Sequence, residues 1–181
     1  MNDRVRSELL EIQPFDALEA AHLADAIAWV DSGAALFRIA KPATPSKHLV
    51  SYFAVLDGEN ILLVDHKNAQ LWLPSGGHVE PDEDPRITVV RELKEELGLD
   101  IAVAAVGPPI MVTVSETVGL TSGHTDVSLW YVVKGERTTT LVFDKNEFSD
   151  VCWFPFSQVP LQRSEPHLKR FLDKVLGRAW R

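Results

Sequence analysis

Residues 84–98 mark both ends of a helix. Asp84 followed by Pro85 predicts its start, because an aspartate side chain accepts hydrogen bonds from free amide groups there and proline fits the first helical position. Gly98 predicts its end, since glycine readily adopts the left-handed conformation that follows many helices. At about 100° per residue, one side of this helix is apolar (Ile87, Val90, Leu93 and Leu97) and the opposite side is acidic (Glu92, Glu95 and Glu96). The segment therefore predicts a helix that packs on one face and presents carboxylates on the other.

The acidic face has two interpretations. The simpler one is a solvated surface, which is the usual fate of charged residues. However, like charges three or four positions apart oppose helix formation by roughly 0.2–0.5 kcal/mol per pair, and only Glu95 has a basic neighbour at helical spacing, Arg91. A divalent cation would supply the missing charge for Glu92 and Glu96, because Mg²⁺ binds carboxylate oxygens together with water and substrate phosphates.

Composition limits the classes of protein that this chain can represent. With 181 residues, 45% hydrophobic and 24% charged, it matches an ordinary globular protein, and we expect a single domain over 1–181 with an N-terminal helical extension at about 1–45. The net charge of −8 argues against a nucleic-acid partner, which requires a basic surface.

Cysteine content and hydropathy give an expectation about location. Cys152 is the only cysteine, so the sequence predicts no internal disulfide. The chain shows neither a leader-like start nor an apolar run of the roughly 20 residues that cross a bilayer. We therefore expect a cytoplasmic protein with no membrane partner.

The remaining pattern predicts strands with helices placed among them. A helix is expected over Ala17–Val30, a linker over 41–47, and a hairpin of strands 48–56 and 60–66 joined at Asp57 and Gly58. Further strand-like runs occupy 101–106, 109–115, 127–133, 138–143 and 151–156, and a last amphipathic helix is expected at 165–176. This order is typical of a mixed α/β or α+β sandwich.

One motif carries a family resemblance. Gly77, Glu83, the run Arg91-Glu92-Leu93, the pair Glu95-Glu96 and the pair Gly98-Leu99 reproduce the spacing of the Nudix box over residues 77–99. The chain thus resembles the Nudix hydrolases. The resemblance implies an α/β/α sandwich with a mixed central sheet. It also implies Mg²⁺- or Mn²⁺-dependent hydrolysis of a nucleoside diphosphate linked to another moiety.

The resemblance also implies roles for individual residues. Glu92 and Glu96 are expected to bind the metal directly, and Glu95 to be a third ligand or the base that deprotonates the attacking water. A backbone carbonyl of Gly76 or Gly77 is expected to add a ligand. Arg91 either orients Glu95 or Glu83, or forms a purely structural salt bridge with Glu83.

Three more groups are candidates for the substrate site. His124 and Asp126 form a His-x-Asp that resembles one found in some Nudix proteins, although a surface histidine is the alternative. Glu147 stands where several members place another metal ligand or base, although exposed loop acids are common. The aromatic residues Phe53, Tyr52 and Trp72 either stack on a base or belong to the core.

The substrate itself stays open at this level, because the residues that mark known subfamilies are missing at 115–117. Two functions remain: a pyrophosphohydrolase acting on a nucleoside triphosphate or related derivative, and a catalytically weak nucleotide-binding or regulatory module. The apolar face of the N-terminal helix must be covered by the sheet or by a partner chain, and a homodimer is the expectation.

Overall fold

The computed structural model describes residues 2–40, 44–117 and 123–177, so the linker predicted at 41–47 lies partly outside the described residues. The helices are α1 (Asn2–Glu11), α2 (Ala17–Asp31), α3 (Pro85–Leu97) and α4 (Leu168–Gly177). The strands are β1 (Lys47–Asp57), β2 (Asn60–His66), β3 (Leu71–Leu73), β4 (Ser75–His78), β5 (Met111–Glu116), β6 (Thr125–Lys134) and β7 (Phe148–Pro155). No helix in this part of the chain is long and apolar enough to cross a membrane.

Within the described residues, the seven strands form one mixed sheet. The main order is β3-β2-β1-β6-β5, with β4 paired to β1 and β7 paired to β2. The long central pair β1 and β6 is parallel, whereas the other pairs are antiparallel. The predicted hairpin is confirmed, because Asp57 pairs with Asn60 and Gly58 has a φ of 58° in the turn.

Helices cover both faces of the sheet, as the predicted sandwich requires. On one face, Leu49, Phe53 and Val55 of β1 lie in a core with residues of α1, α2 and α3. On the other face, Ala54 and Leu56 of the same strand join a core with α4. Alternate residues of β1 therefore feed two separate cores, because successive side chains of a strand point to opposite faces.

The N-terminal extension packs on the rest of its own chain. The predicted helix is confirmed as α2; Ala26 and Val30 are buried in the core, and Leu23 and Ile27 pack partly against it. The sequence interpretation missed α1. Its signal is the i, i+4, i+7 spacing of three buried residues: Val5, Leu9 and Ile12. Most of the α2 face that was expected to need a cover is thus covered by the chain itself, although Ala20 stays exposed.

Two predicted strands and one helix start were wrong. Residues 101–106 form a short 3₁₀ turn at Val103–Ala105 instead of a strand. Residues 138–143 form no strand either, because the backbone amide of Val142 bonds to the carbonyl of Leu97 at the end of α3. The last helix begins at Leu168, since the carboxylate and carbonyl of Glu165 accept hydrogen bonds from the amides of His167 and Leu168 before its first turn.

Candidate active site

A cavity of about 1040 Å³ lies on one face of the sheet. Its floor follows from the parallel register of the central strands, in which Val50 and Tyr52 of β1 pair with Ser128 and Trp130 of β6. The glycine-containing strand β4 forms one side. Glu92 and Glu96 of α3 line the cavity, and Glu147 lines it as well. The sheet floor, the glycine strand and the acidic face of α3 therefore meet in one place.

Local sequence positions the acidic helix as predicted. The side chain of Asp84 accepts a hydrogen bond from the amide of Arg86 at 3.0 Å, and Pro85 occupies the first turn. Gly98 ends α3 with a φ of 67°. The hydroxyl of Ser51 on β1 donates to the carbonyl of Pro85 at 2.7 Å, which ties the start of α3 to the sheet. These contacts fix the direction in which the helix presents its glutamates.

Glu96 is a strongly perturbed carboxyl of the cavity. Only 6% of the residue is exposed, and its Oε2 atom is buried with no hydrogen-bond partner among the described residues. Burial, followed by the charges of Glu92 and Glu147, raises the pKa of Glu96 to about 9, although hydrogen bonds from Ser75 and the Gly76 amide oppose the shift. A lone buried carboxylate oxygen of this kind fits a cation that would replace the proton.

Glu92 lies beside Glu96 and shares its environment. Burial raises the pKa of Glu92, while the adjacent Arg91 opposes the shift. Arg91 Nη1 donates to Glu92 Oε1 at 2.6 Å. A side chain at Gly77 would collide with this carboxylate, because a Cβ atom there would stand 1.9 Å from Glu92 Oε1. The glycine of β4 therefore allows the close approach of Glu92 to the loop.

Arg91 clamps the loop before α3 to the helix. Its Nε and Nη2 atoms donate to the two oxygens of Glu83, both at 3.0 Å, and Thr88 Oγ1 donates to the same carboxylate at 2.6 Å. The distance from Arg91 Nη1 to Glu95 Oε2 is longer, 3.6 Å, and 61% of the Glu95 side chain is exposed. Arg91 thus binds Glu83 and Glu92 tightly, whereas Glu95 is largely exposed and is not among the residues that line the cavity.

The candidates outside the motif fall into two groups. Glu147 lines the cavity, and its charge acts on both Glu92 and Glu96. Its Oε1 lies 3.2 Å from His66 Nε2, which carries the ring proton because His66 Nδ1 accepts from the amide of Asn68. His124 also lines the cavity, with its ring buried. In contrast, Phe53 has no exposed surface and lies in the core on the opposite face of the sheet from the cavity. Of the aromatic candidates, it is Tyr52 that lines the cavity.

Sequence reasoning missed two functional candidates, His48 on β1 and His78 on β4. Both lie with His124 and Asp126, and the ligand atoms of the four residues are within 4.8 Å of one another. Burial lowers the pKa of His78 to about 3 and also lowers the pKa of His124. The available signals were the position of His78 directly after the glycine pair and the His-x-Asp spacing.

A mixed sheet between helical layers, with an acidic helix against a glycine strand, defines an α/β/α protein with a carboxylate-lined cavity. A sequence model of the NUDIX domain matches residues 47–175, which is more than half of the chain. The chain therefore belongs to the NUDIX domain family, and the resemblance found in the sequence is confirmed.

Three known proteins are similar to this chain, with different sequence identities and coverages. The CTP pyrophosphohydrolase of Escherichia coli (strain K12) is 42% identical over 55 residues, which span 28% of this chain and 41% of that enzyme. The solution structure of the E. coli ORF135 protein is 28% identical with a TM-score of 0.54, covering 75% of this chain and 93% of that chain. The NUDIX domain of Shewanella oneidensis NrtR, complexed with ADP ribose, is 19% identical with a TM-score of 0.56, covering 72% of this chain and 86% of that chain. The last similarity is one of fold alone.

Proposed function

We propose that this protein is a metal-dependent pyrophosphohydrolase that cleaves the phosphoanhydride bond of a nucleoside triphosphate or of a related nucleoside diphosphate derivative. The observation that carries the proposal is the pair Glu92 and Glu96. Among the described residues, the Oε2 atom of Glu96 has no hydrogen-bond partner, and Glu96 lines the cavity. Glu92 lies against Gly77, where a Cβ atom would stand 1.9 Å from Glu92 Oε1. An all-oxygen site of this kind suits Mg²⁺ or Mn²⁺.

Each residue has a role in this proposal. Glu92 and Glu96 hold the cation, with a carbonyl of Gly76 or Gly77 as a further ligand. When bound, the cation lowers the pKa of coordinated water and neutralises charge on phosphate oxygens. Arg91 is a positioning residue that orients Glu92 while it is anchored by Glu83.

Two carboxylates are candidates for the group that accepts the proton of the attacking water. Glu147 lines the cavity, and its charge acts on Glu92 and Glu96. Glu95 does not line the cavity, and most of its side chain is exposed. We favour Glu147, because a base must lie within hydrogen-bond reach of the bound reactants. Turnover measured in variants of Glu147 and of Glu95 tells which of the two carboxylates accepts the proton.

The substrate class rests on size, charge and similarity. The cavity of about 1040 Å³ is large enough for a nucleotide, and a net charge of −8 favours small anions shielded by metal over polymeric ones. The names of two similar proteins, a CTP pyrophosphohydrolase and a NUDIX domain complexed with ADP ribose, agree with a nucleotide substrate.

The first experiment screens nucleoside triphosphates and diphosphate derivatives with Mg²⁺, Mn²⁺ or EDTA and detects the nucleoside monophosphate product by chromatography. Glu96→Gln keeps the size of the side chain and removes its charge, so we expect turnover to fall by at least about 10²-fold. The matched control is Glu136→Gln, since Glu136 is an exposed glutamate outside the cavity. Near wild-type turnover of E96Q, or full activity in EDTA, would refute the assigned metal site.

Stability separates a catalytic effect from misfolding in this experiment. Because the charged form of Glu96 is disfavoured by burial, E96Q is expected to resist urea at least as well as wild type. Loss of turnover with an unchanged or higher unfolding midpoint supports the assignment.

The bond that breaks is tested with ¹⁸O-labelled water. A nucleoside triphosphate should yield the monophosphate and pyrophosphate, with the label on one of these products. Orthophosphate as the only phosphate released would contradict cleavage inside the pyrophosphate linkage. Nucleotide binding in calorimetry without any turnover would favour the alternative function, a nucleotide-binding or regulatory module.

A further inference from the structure

Four residues that lie apart in the sequence form one group on the sheet, which we call the histidine cluster: His48, His78, His124 and Asp126. Register explains why they meet. His48 on β1 is paired directly with Asp126 on β6. Val50, two residues further along β1, is paired with His78 on β4. His124 stands two residues before Asp126, and its backbone carbonyl accepts a hydrogen bond from the Thr117 amide just after β5.

The ligand atoms of the cluster converge on one carboxylate oxygen. The Oδ1 atom of Asp126 lies 3.2 Å from His48 Nε2, 3.5 Å from His124 Nε2 and 4.0 Å from His78 Nε2. His48 has no exposed surface, and His124 is 7% exposed. Three imidazole nitrogens and a carboxylate therefore point into one small, mostly buried space.

The outer hydrogen bonds direct lone pairs into this space. His48 Nδ1 lies 2.8 Å from the carbonyl of Pro45, which can only accept, so Nδ1 carries the proton and Nε2 of the neutral ring presents a lone pair. His124 Nδ1 lies 3.2 Å from Thr117 Oγ1, whose hydroxyl donates to the carbonyl of His124. The same tautomer follows for His124. Such outer contacts orient metal-binding histidines in proteins.

The cluster atoms that face one another lack hydrogen-bond donors within the described part of the chain. Among the described residues, His48 Nε2, His78 Nε2 and Asp126 Oδ1 are buried without any hydrogen-bond partner. A proton on one ring would give Asp126 one partner and leave the other nitrogens unsatisfied. Several acceptors that face each other repel, and buried unpaired polar atoms are costly. A cation at the centre would satisfy all four groups at once.

We propose that the histidine cluster binds one divalent transition-metal ion, of which Zn²⁺ is the reference case, as a site separate from the glutamate site for Mg²⁺ or Mn²⁺. Imidazole nitrogens suit Zn²⁺ and its neighbours in the first transition row, whereas Mg²⁺ requires oxygen ligands. Three nitrogens and one carboxylate oxygen supply the four ligands of a tetrahedral Zn²⁺ ion.

The site opens onto the same cavity as the glutamates. His78, His124 and Asp126 all line it, and 29% of the His78 side chain and 23% of the Asp126 side chain are exposed. A metal in the cluster would therefore be reachable by a ligand in the cavity and could expand its coordination to bind one. This inference does not depend on the proposed hydrolysis, because the cluster shares no residue with the glutamate site.

Metal binding is tested directly on the full chain. Protein stripped with a chelator is titrated with Zn²⁺ in the presence of excess Mg²⁺, and bound zinc is counted by elemental analysis after desalting. We expect one Zn²⁺ per chain. We expect its loss, or at least about a 10-fold weaker affinity, in His78→Ala and in Asp126→Asn. Both of these residues are partly exposed, so their variants should fold, which circular dichroism checks.

Two controls keep the result specific to the cluster. His66→Asn removes a histidine that lines the same cavity beside Glu147 and should still bind one Zn²⁺. The double variant Glu92→Gln with Glu96→Gln should bind Zn²⁺ as wild type does. Co²⁺ provides a spectroscopic readout, because four-coordinate Co²⁺ with nitrogen ligands absorbs strongly in the visible range.

Each outcome decides the proposal. Stoichiometric Zn²⁺ that is lost in H78A and D126N and kept in both controls supports it. Failure of the wild-type chain to retain Zn²⁺ would overturn it. Zn²⁺ that survives the cluster variants, or that disappears with the glutamate variants, would equally overturn it.

Discussion

A buried glutamate in the N-terminal extension gives the sharpest test of how this chain is held together. Glu8 on α1 is 3% exposed. Its Oε2 accepts from the hydroxyl of Tyr131 on β6 at 2.7 Å, and its Oε1 accepts from Arg86 Nε on α3 at 2.8 Å. This carboxylate thus links the extension to the sheet and to the helix that carries the proposed metal ligands. The perturbation is Tyr131→Phe, which removes one hydroxyl and keeps the ring.

The expected loss of stability follows from the Glu8 oxygen that contacts the Tyr131 hydroxyl. Without this hydroxyl, the buried carboxylate oxygen loses its hydrogen-bond donor, which lowers the free energy of unfolding by about 1–3 kcal/mol. The cost depends on pH. Burial raises the pKa of Glu8 above its ordinary value, and the Tyr131 hydrogen bond opposes that shift. A raised carboxyl pKa means that the folded state binds the proton more tightly, so the stability from this group is lost as pH rises through the folded value. Removing the hydroxyl raises the folded pKa further, and Y131F should therefore cost more at pH 8 than at pH 5.

The assay is urea unfolding of wild type, Y131F, Glu8→Gln and the double variant at both pH values. Tyr52→Phe is the matched control, because its ring lines the cavity instead of contacting the extension. We expect Glu8→Gln to abolish the pH dependence of the Y131F effect, since glutamine does not titrate. Equal stability of Y131F and wild type at pH 8, or a cost that is larger at pH 5, would refute this reasoning.

Three further predictions concern other parts of the molecule. Lys174 and Glu19 form an ion pair of 2.5 Å between α4 and α2, with side chains 3% and 0% exposed. Lys174→Met should therefore lower the free energy of unfolding, measured in urea titrations, by about 3–5 kcal/mol, and adding Glu19→Gln should recover part of this loss. Gly77→Ala should displace Glu92, because its Cβ atom would stand 1.9 Å from Oε1, and kcat should fall by about 10²-fold while the unfolding midpoint changes little. Burial raises the pKa of Glu165 to about 8, so stability from this group is lost as pH rises toward that value; Glu165→Gln should raise the melting temperature relative to wild type more at pH 9 than at pH 5.

The elements that sequence predicted correctly have local causes. Both ends of α3 are determined by residues within the helix or next to it, Asp84, Pro85 and Gly98, and the hairpin between β1 and β2 depends on one turn at Gly58. Caps and turns act over a few residues, so the sequence contains the whole signal. Helical spacing likewise places Glu92 and Glu96 on one face, while their role as metal ligands was implied by the family resemblance and stays a prediction.

The errors have tertiary causes. Residues 138–143 are rich in threonine and apolar residues and favour a strand, yet the amides of Val142 and Asp144 bond to the carbonyls of Leu97 and Glu96 at the end of α3. The free carbonyls of a helix end thus replaced a neighbouring strand as partners. Helix α1 was missed because its packing face includes the polar Glu8, whose buried carboxylate accepts hydrogen bonds from Tyr131 and Arg86, which lie far away in the sequence.

Only part of the histidine cluster could be predicted from the sequence. The His-x-Asp pattern at 124–126 was visible, since residues two apart on a strand share a face. Its partners were not, because His48 reaches Asp126 only through the parallel pairing of β1 with β6, and His78 joins through the antiparallel pairing of β4 with the same strand. A slip of one residue in either register would turn a histidine to the opposite face. What fixes the register is the core beneath, where Leu49 and Phe53 of β1 are fully buried. The same hydrophobic residues that hold the sheet together therefore bring the proposed metal ligands together on its other face.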